Sequence, residues 1–362
     1  MKHSNLFLTT LILSAALQPH ANASQIYANT ITAYNIAAIQ HAVTHTAFNS
    51  FEGAMSASLG LQYEHPAQNE DPSKTYGRAP MYGRAATYGE HNDDGTAGRS
   101  GGNNTNPDAA LNSIWFSWEH TDDKVKFDDY DRIHSDFDLV MMGLSGGKSK
   151  MSNGITQWGI YTGYIGGHQR NEFLNIDEQG GYFGLYNGFN LGNFNLSTSI
   201  NGGVLDNNAD NIFGTDSFTN FWLGAVANAT VNIPLDNTFT IQPGVQLGYT
   251  WIKSDDYTSA SGDLLTNDAF NMFEISPTLR AIKHIDNGWY GALSVKHVMI
   301  FANGGDLNVN GIRAQALDLD NFTEYSISLE KAVANVTFTA NFGRRDGSHN
   351  GWIGGTNIKF RF

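Results

Sequence analysis

The sequence predicts an all-β transmembrane protein: an antiparallel barrel of about twelve strands in an outer membrane, preceded by a helix that could thread its pore and a flexible linker. Three observations predict this fold: a hydropathy period of two from residue 111 to residue 362, alternating long and short gaps between strand-like segments, and a weakly charged composition. Only 15% of the 362 residues are charged, aromatic residues reach 12%, and glycine occurs 39 times.

Composition also excludes several classes of protein. Lys and Arg total 21 against 35 Asp and Glu, which gives a net charge of −14 and no excess of positive charge for nucleic acid phosphates. The sequence contains no cysteine, so disulfides and thiolate metal sites are excluded. It also lacks the apolar run of about 18–20 residues that a transmembrane helix needs. We expect no nucleic acid partner, no cofactor and no metal.

The first segment, residues 1–23, is typical of a secretory signal peptide. Lys2 and His3 precede the apolar stretch Leu6–Leu17, and Ala21-Asn22-Ala23 supplies a small-residue cleavage site. The alternative is the buried N-terminal helix of a cytosolic protein. The signal peptide interpretation predicts that the mature protein begins at Ser24, outside the cytoplasm.

Residues 24–65 form the second predicted segment, which is helical over about Ile26–Phe51. Apolar or small side chains recur every three to four residues; they are Ile31, Tyr34, Ala38, Ala42, Val43 and Phe48. This slim helix fits a narrow, polar cavity. A marginal helix frayed in solvent is the alternative.

Residues 66–110 are predicted to be a flexible linker. The segment is rich in Pro, Gly and Asn and has too few aliphatic side chains to offset the conformational entropy of ordering. It contains a Tyr-Gly repeat of three hexapeptides, at Thr75–Pro80, Met81–Ala86 and Thr87–Asn92. An adhesive or partner-binding tract is the alternative interpretation of the repeat.

Residues 111–362 form the predicted barrel. The clearest strand is Thr238–Trp251, in which one parity is apolar and the other is polar, as expected of a wall between lipid and a wet lumen. About twelve such segments occur, near 113–120, 136–145, 155–166, 181–191, 194–204, 219–233, 238–252, 270–283, 288–301, 322–331, 335–343 and 351–362. The gaps alternate between long outer loops, such as Thr121–Ser135, Gly167–Gly180 and Asp206–Phe218, and short periplasmic turns.

The polar parity carries charges of both signs. Glu274, Arg280, Lys296 and Glu324 are candidate lumen-lining residues. They could tune the passage of ions through an open pore. Their other predicted role is to pair across the lumen and stabilise the barrel.

Four segments of the barrel resemble the C-terminal translocator domain of autotransporters, the type V secretion proteins of Gram-negative bacteria. They are Ile114–Trp118, Trp158–Tyr164, Ile241–Thr250 and Gly354–Phe362. The resemblance covers about 114–362 and implies a twelve-stranded barrel, often with a helix threading the pore from its N-terminal side. It also implies outer-membrane lipid, periplasmic chaperones and the β-barrel assembly machinery as partners, with Ile358, Phe360 and Phe362 as the assembly signal.

The sequence departs from this family in front of the barrel. Only Ser24–Asp108 is available as a passenger, and Asn103-Asn104 has no helical context that matches the autocleavage motif of the family. We therefore expect a monomeric barrel in the cell outer membrane that anchors or displays a short N-terminal segment at the cell surface. An outer-membrane pore or structural barrel with no secretion role is the alternative.

Three patterns of potential chemistry point to no enzyme. The G-x-S-x-G match at Gly143–Gly147 lacks the strand-to-helix turn that activates such a serine. His41 and His45 have metal-ligand spacing on a helix but lack the accompanying Glu. Acidic pairs, including Asp122/Asp123 and Asp206/Asp210, lack EF-hand spacing and are expected to be solvated loop tips. An outer-membrane hydrolase is the enzymatic alternative.

Overall fold

The computed structural model describes residues 113–127, 130–151, 154–285, 288–314 and 319–362, together with eight residues between Ala28 and Val43. The predicted signal peptide, the predicted linker with its Tyr-Gly repeat, and most of the predicted helix lie outside the described residues. Among the described residues, no helix is both long and apolar enough to cross a membrane.

Seventeen strands make up the described fold. They are β1 (Ser113–Phe127), β2 (Tyr130–Met151), β3 (Gly154–Arg170), β4 (Asn175–Leu191), β5 (Phe194–Asn211), β6 (Gly214–Val231), β7 (Ile233–Pro234), β8 (Phe239–Ser254), β9 (Tyr257–Thr258), β10 (Leu264–Asn267), β11 (Phe270–Ile285), β12 (Trp289–Gly304), β13 (Leu307–Val309), β14 (Ile312–Ala314), β15 (Phe322–Val333), β16 (Val336–Gly347) and β17 (His349–Arg361).

Twelve of these strands close into a barrel. Each of the long strands pairs antiparallel with the next long strand, and β17 returns to pair with β1 from Ser113↔Arg361 to Val125↔His349. The two-residue β7 only extends the sheet beside β8. The predicted antiparallel barrel is therefore confirmed.

Side chains alternate between the two faces of the wall, as the sequence period predicts. On β6, for example, Phe221 and Leu223 are 45% and 59% exposed on the outer face, whereas Trp222 between them is 1% exposed on the inner face. Large apolar side chains are exposed in the same way around the barrel. Such a surface is stable only against lipid, because water would not solvate it.

The short turns mark the periplasmic end of the barrel. Gly192 and Asn193 alone connect β4 to β5, with Gly192 at a φ of 72°. Ala334 and Asn335 alone connect β15 to β16. The first residue of β1 is paired at this end, and outer-membrane barrels have their short turns on the periplasmic side.

At the other end, three of the predicted outer loops are extended strands instead. The hairpins β1–β2, β3–β4 and β5–β6 continue their ladders through most of these segments, and only Ile212 and Phe213 separate β5 from β6. The interpretation as loops was wrong because the alternation reverses there. Inward side chains such as Phe127 and Ile133 are apolar and buried, while outward side chains such as Lys124 are polar.

A small second sheet packs against this extracellular end. Strands β9, β10, β13 and β14 come from the connections before β11 and before β15 and form a four-stranded sheet, which we call the cap. Tyr257 of the cap stacks on Phe218 of β6, with ring centroids 5.2 Å apart. Leu265 of the cap belongs to the same buried apolar cluster as Phe218 and Phe270. The buried apolar cluster of the barrel thus continues into the cap.

Candidate functional site: the barrel lumen

One wall of the lumen is apolar and aromatic. Its inward side chains come from β1–β6 and are nearly fully buried: Trp115, Leu139, Met141, Tyr161, Ile165, Tyr182, Tyr186, Leu205 and Trp222. The inward parity of these strands is therefore apolar at these nine positions, while buried polar side chains such as Ser117, Ser199 and Asn201 occupy others. The expectation that polar residues line the whole lumen is wrong for this wall.

The rings of this wall lie flat against glycines of the neighbouring strands. A Cβ on Gly184 would lie 2.2 Å from Cζ of Tyr161, and a Cβ on Gly143 would lie 2.3 Å from the indole of Trp115. The same relationship joins Gly159 to Tyr186, Gly163 to Tyr182 and Gly203 to Trp222. Only glycine leaves space for such close packing of ring on backbone.

Hydrogen bonds hold the polar ends of Trp115, Tyr161 and Tyr186, whereas the Tyr182 hydroxyl and Nε1 of Trp222 have no partner among the described residues. The Tyr161 hydroxyl lies 2.8 Å from Oγ of Ser199 and accepts a bond from Nδ2 of Asn201 at 3.0 Å. The indole Nε1 of Trp115 donates to the Tyr186 hydroxyl at 3.2 Å. The polar atoms of Trp115, Tyr161 and Tyr186 are therefore hydrogen-bonded within the wall.

The eight described residues before the barrel are helical and buried. They are Ala28, Ile31, Thr32, Ile36, Ile39, Gln40, Ala42 and Val43, and the six apolar ones belong to the same buried cluster as the aromatic wall. Gln40 reaches the lumen side of β6, where a Cβ on Gly224 would lie 2.1 Å from its Nε2. The remainder of the predicted helix lies outside the described residues, so a pore-threading helix stays a prediction.

Buried charges connect β12, β15, β16 and β17 with β1 inside the lumen. Nη1 of Arg345 donates to Oδ2 of Asp123 at 2.6 Å, and its Nε donates to Oε2 of Glu324 at 3.2 Å. Nζ of Lys296 lies 3.4 Å from Oε1 of Glu324, and Nδ1 of His349 lies 3.2 Å from Oδ2 of Asp123. All five side chains are at most 7% exposed. Opposite charges and hydrogen bonds offset the desolvation of such a buried network.

The comparison with known families decides the identity of this barrel. A family model described as the autotransporter beta-domain matches residues 113–349, which is more than half of the chain. The chain belongs to the autotransporter beta-domain family.

Solved structures of autotransporter barrels share its fold. The transport unit of the autotransporter AIDA-I from Escherichia coli superposes with a TM-score of 0.57 at 13% identity, covering 72% of this chain and 92% of that chain. The translocator domain of the autotransporter NalP from Neisseria meningitidis gives 0.59 at 13% identity, covering 70% and 89%. The beta domain of the Bordetella autotransporter Brka gives 0.55 at 13% identity, covering 69% and 98%. No curated protein sequence matches the chain.

These findings confirm the family resemblance and the predicted location. The protein is an autotransporter-type barrel of type V secretion and lies in the cell outer membrane. Because these solved structures are only 13% identical to the chain, their likeness to it shows the fold alone.

The autotransporter barrel places all four candidate lumen residues on the inward parity. Lys296 and Glu324 pair with each other on the adjacent strands β12 and β15, rather than across the lumen. Glu274 is buried on β11, and Arg280 lies six residues later on the same strand and is partly exposed. Asp123, Arg345 and His349 complete the network that contains Lys296 and Glu324. The sequence analysis missed them because they fall in segments interpreted as outer loops.

The predicted assembly signal lies on the outer parity at the end of β17. Phe360 is 41% exposed and Phe362 is 69% exposed, whereas Lys359, which directly precedes Phe360, is 2% exposed toward the lumen. Ile358 is on the same outer parity and is half-buried. Their role in assembly stays a prediction.

The other patterns of potential chemistry are dispersed. Ser145 of the G-x-S-x-G match lies within β2, where its hydroxyl contacts the Tyr186 hydroxyl inside the lumen. His41 and His45 lie outside the described residues. Asp122 and Asp123 are on opposite faces of β1, so they cannot share an ion. Asp206 and Asp210 lie along the outer face of β5 instead of in a loop.

Proposed function

We propose that this autotransporter barrel anchors the segment that precedes it at the cell surface, with part of that segment held in the lumen. The observation that carries the proposal is the set of buried, helical residues between Ala28 and Val43 that share a cluster with the aromatic wall. An apolar wall inside a barrel would be costly against water, and an amphipathic helix held in the lumen would cover it.

The fit between Gln40 and Gly224 supports the same proposal. The side-chain amide of Gln40 occupies the position that any side chain at residue 224 would take, with three amide atoms at 2.1–2.3 Å from that position. Glycine is therefore required where the helix meets β6. A wall shaped around one side chain of the preceding segment favours a resident partner over an empty pore.

The second candidate function is an outer-membrane pore or structural barrel with no secretion role. It is favoured by the inward side chains of β11, β12, β15 and β16 toward the periplasm, which are polar and only partly buried. Arg280, Ser294, Ser326, Ser328 and Asn341 are of this kind. Oγ of Ser294 and Oγ of Ser326 lie 2.7 Å apart on this face.

An epitope tag at Gly83 tests the first proposal. If the preceding segment is displayed, antibody and protease reach the tag on intact cells. If antibody and protease reach the tag only after the outer membrane is permeabilised, display is contradicted. The remaining candidate functions are then an anchor without display and a pore. A tag at Gly262, in an open turn of the cap, is the surface control, and a tag at Asn237, in a periplasmic turn, is the internal control.

Planar bilayer conductance distinguishes the anchor from the pore. We expect low conductance for the full chain and a clear increase when residues 24–51 are deleted or Gly224→Leu displaces Gln40. Gly248→Ala is the matched control, because a Cβ there meets Glu274 at an ordinary 3.4 Å. A full chain that conducts as well as the deletion would favour the pore.

We also propose that periplasmic chaperones deliver the chain to the β-barrel assembly machinery, which recognises the outer parity of β17. The exposed Phe360 and Phe362 support this role. Replacing both by serine is expected to lower the amount of folded protein in the outer membrane, while Phe338→Ser on β16, which is 46% exposed, serves as the control. We propose in addition that the folded barrel is a monomer and has no enzymatic activity. The mass of the protein in detergent, measured by light scattering, tests whether the barrel is a monomer.

A further inference from the structure

A histidine and two aspartates meet on the outer face of the barrel wall, just beyond the lipid-facing Trp118. His120 on β1 is directly opposite Asp138 on β2, and Asp136 lies two residues along the same face of β2. Nδ1 of His120 lies 3.2 Å from Oδ1 of Asp138 and 4.0 Å from Oδ1 of Asp136. One ligand atom from each of the three residues lies within 4.8 Å of the other two.

These separations suit a small divalent cation. Zinc bonds to nitrogen and oxygen ligands at about 2.0–2.2 Å, so the ligand atoms around a tetrahedral zinc lie about 3.3 Å from one another. The distance from Nδ1 of His120 to Oδ1 of Asp138 is close to this ligand–ligand separation. The distance from Nδ1 of His120 to Oδ1 of Asp136 exceeds it by less than 1 Å. Ion binding would therefore need Asp136 to move closer to His120.

The arrangement of charge favours a bound cation. Asp122 on β1 is directly opposite Asp136 on β2, and like charges in that position destabilise a sheet. Asp138 adds a third carboxylate to the same face two residues away. His134 lies 3.6 Å from Asp122, so it serves that carboxylate rather than Asp136 or Asp138. A divalent ion between His120, Asp136 and Asp138 would offset this repulsion.

Trp118 orients two of the three ligands. Its Nε1 donates to Oδ1 of Asp138 at 3.0 Å, and its ring stacks on the His120 ring with a 15° angle between the planes. Hydrogen bonds from outside a metal site fix the orientation of its ligands. The ligands are also carried by two paired strands, which hold them more rigidly than loops would.

We propose that His120, Asp136 and Asp138 form a binding site for one first-row divalent metal ion, with Zn²⁺ as the expected occupant and water completing its coordination. An imidazole among the ligands selects such metals, because Ca²⁺ and Mg²⁺ prefer sites made of oxygen alone. The ion would tie β1 to β2 at the outer surface. This inference does not depend on whether the preceding segment is displayed.

Calorimetric titration of the full, untagged chain in detergent micelles tests the proposal. Zn²⁺ and Ca²⁺ are the probes, and His120→Asn, Asp138→Asn and Asp136→Asn are the variants. We expect one Zn²⁺ site whose affinity falls about tenfold or more in each variant. The control is His297→Asn on the outer face of β12, where His297 pairs with Oγ1 of Thr323 at 3.0 Å.

The folded state of each variant is checked by its circular dichroism and its mobility in unheated gels. Any zinc bound by histidines before the barrel is common to all variants and cancels in the comparison. Zinc affinity that is unchanged in His120→Asn and Asp138→Asn, or that falls equally in His297→Asn, would overturn the proposal. Calcium binding as tight as zinc binding and insensitive to His120→Asn would also overturn it.

Discussion

The guanidinium of Arg345 on β16 reaches across β17 to the carboxylate of Asp123 on β1, with 2.6 Å between Nη1 and Oδ2. Its Nε meanwhile donates to Glu324 on β15 at 3.2 Å. One buried side chain therefore bridges strands from the beginning and the end of the barrel. The sheet closes between β17 and β1, so this contact lies across the closing seam.

Replacing Arg345 by methionine is expected to destabilise the barrel by about 3–5 kcal/mol, because Asp123 and Glu324 would be left as uncompensated buried charges. Unfolding in urea, followed by tryptophan fluorescence in detergent or vesicles, measures the loss. The neighbouring Arg344→Met is the control. Arg344 faces outward over the Trp352 ring at 4.6 Å, and such a contact contributes only about 0.5–1 kcal/mol. Equal stability of the two variants would contradict the argument.

The contacts between rings and glycines predict that a Gly→Ala substitution destabilises the barrel at one position of β4 and not at another. Gly184→Ala would place a Cβ 2.2 Å from Cζ of Tyr161, and we expect it to cost about 1–3 kcal/mol as the ring is displaced. Gly181→Ala on the same strand meets only a carbonyl oxygen, at 3.6 Å, and is expected to be nearly neutral. Urea unfolding of the two single variants checks the prediction. A neutral Gly184→Ala would show that the ring moves freely.

Position along β4 also sets the cost of a charge on the outer face. Leu185 is 51% exposed within the apolar band, so Leu185→Arg is expected to destabilise the barrel by about 2–4 kcal/mol. Gln179→Arg lies on the same face beyond the band, where the expected cost is about 0–1 kcal/mol. Refolding yield and unfolding in vesicles measure both. If Gln179→Arg were the more harmful, the assignment of the lipid-facing band would be wrong.

Tyr257 makes the cap sensitive to alkaline pH. Burial raises the pKa of its phenol well above the ordinary value, with the Asp216 carboxylate as a secondary cause. The unfolded phenol ionises near pH 10, at which the folded one keeps its proton. The contribution of Tyr257 to cap stability is therefore complete below about pH 10 and lost as the pH rises above it. Proteolysis of the cap by an alkaline protease should accelerate in that range, and Tyr257→Phe should weaken the dependence. An identical acceleration in that variant would rule Tyr257 out.

The lipid-facing half of this fold could be predicted from sequence because side chains that face lipid are apolar, which gives each strand a hydropathy period of two. On β8, Val245, Leu247 and Tyr249 are exposed as predicted, and Gln246 between the first two is buried toward the lumen. Pairing to neighbouring strands follows from such alternation together with short turns. The strand number and direction needed no further information.

The lumen could not be predicted in the same way. Trp115 and Phe116 are both apolar, yet one is buried inside and the other faces lipid, so the period of two disappears where both faces are apolar. Beyond the membrane, Lys124 faces outward and Val125 faces inward, so the alternation is reversed in a segment that sequence analysis takes for a loop. The three ligands proposed for the metal site come from two strands, and register rather than spacing in the chain brings them together.

The seam between β1 and β17 sets a condition on how the chain folds. Ser113 pairs with Arg361, which is 361 − 113 = 248 residues away, so no local hairpin can make this contact. Contacts between residues so distant in sequence form slowly, because a large loop must first be closed. Until then both terminal strands have unpaired backbone edges, which in lipid cost several kcal/mol for each group left unsatisfied and in water invite aggregation. Removing a strand from either end of the barrel would make that exposure permanent.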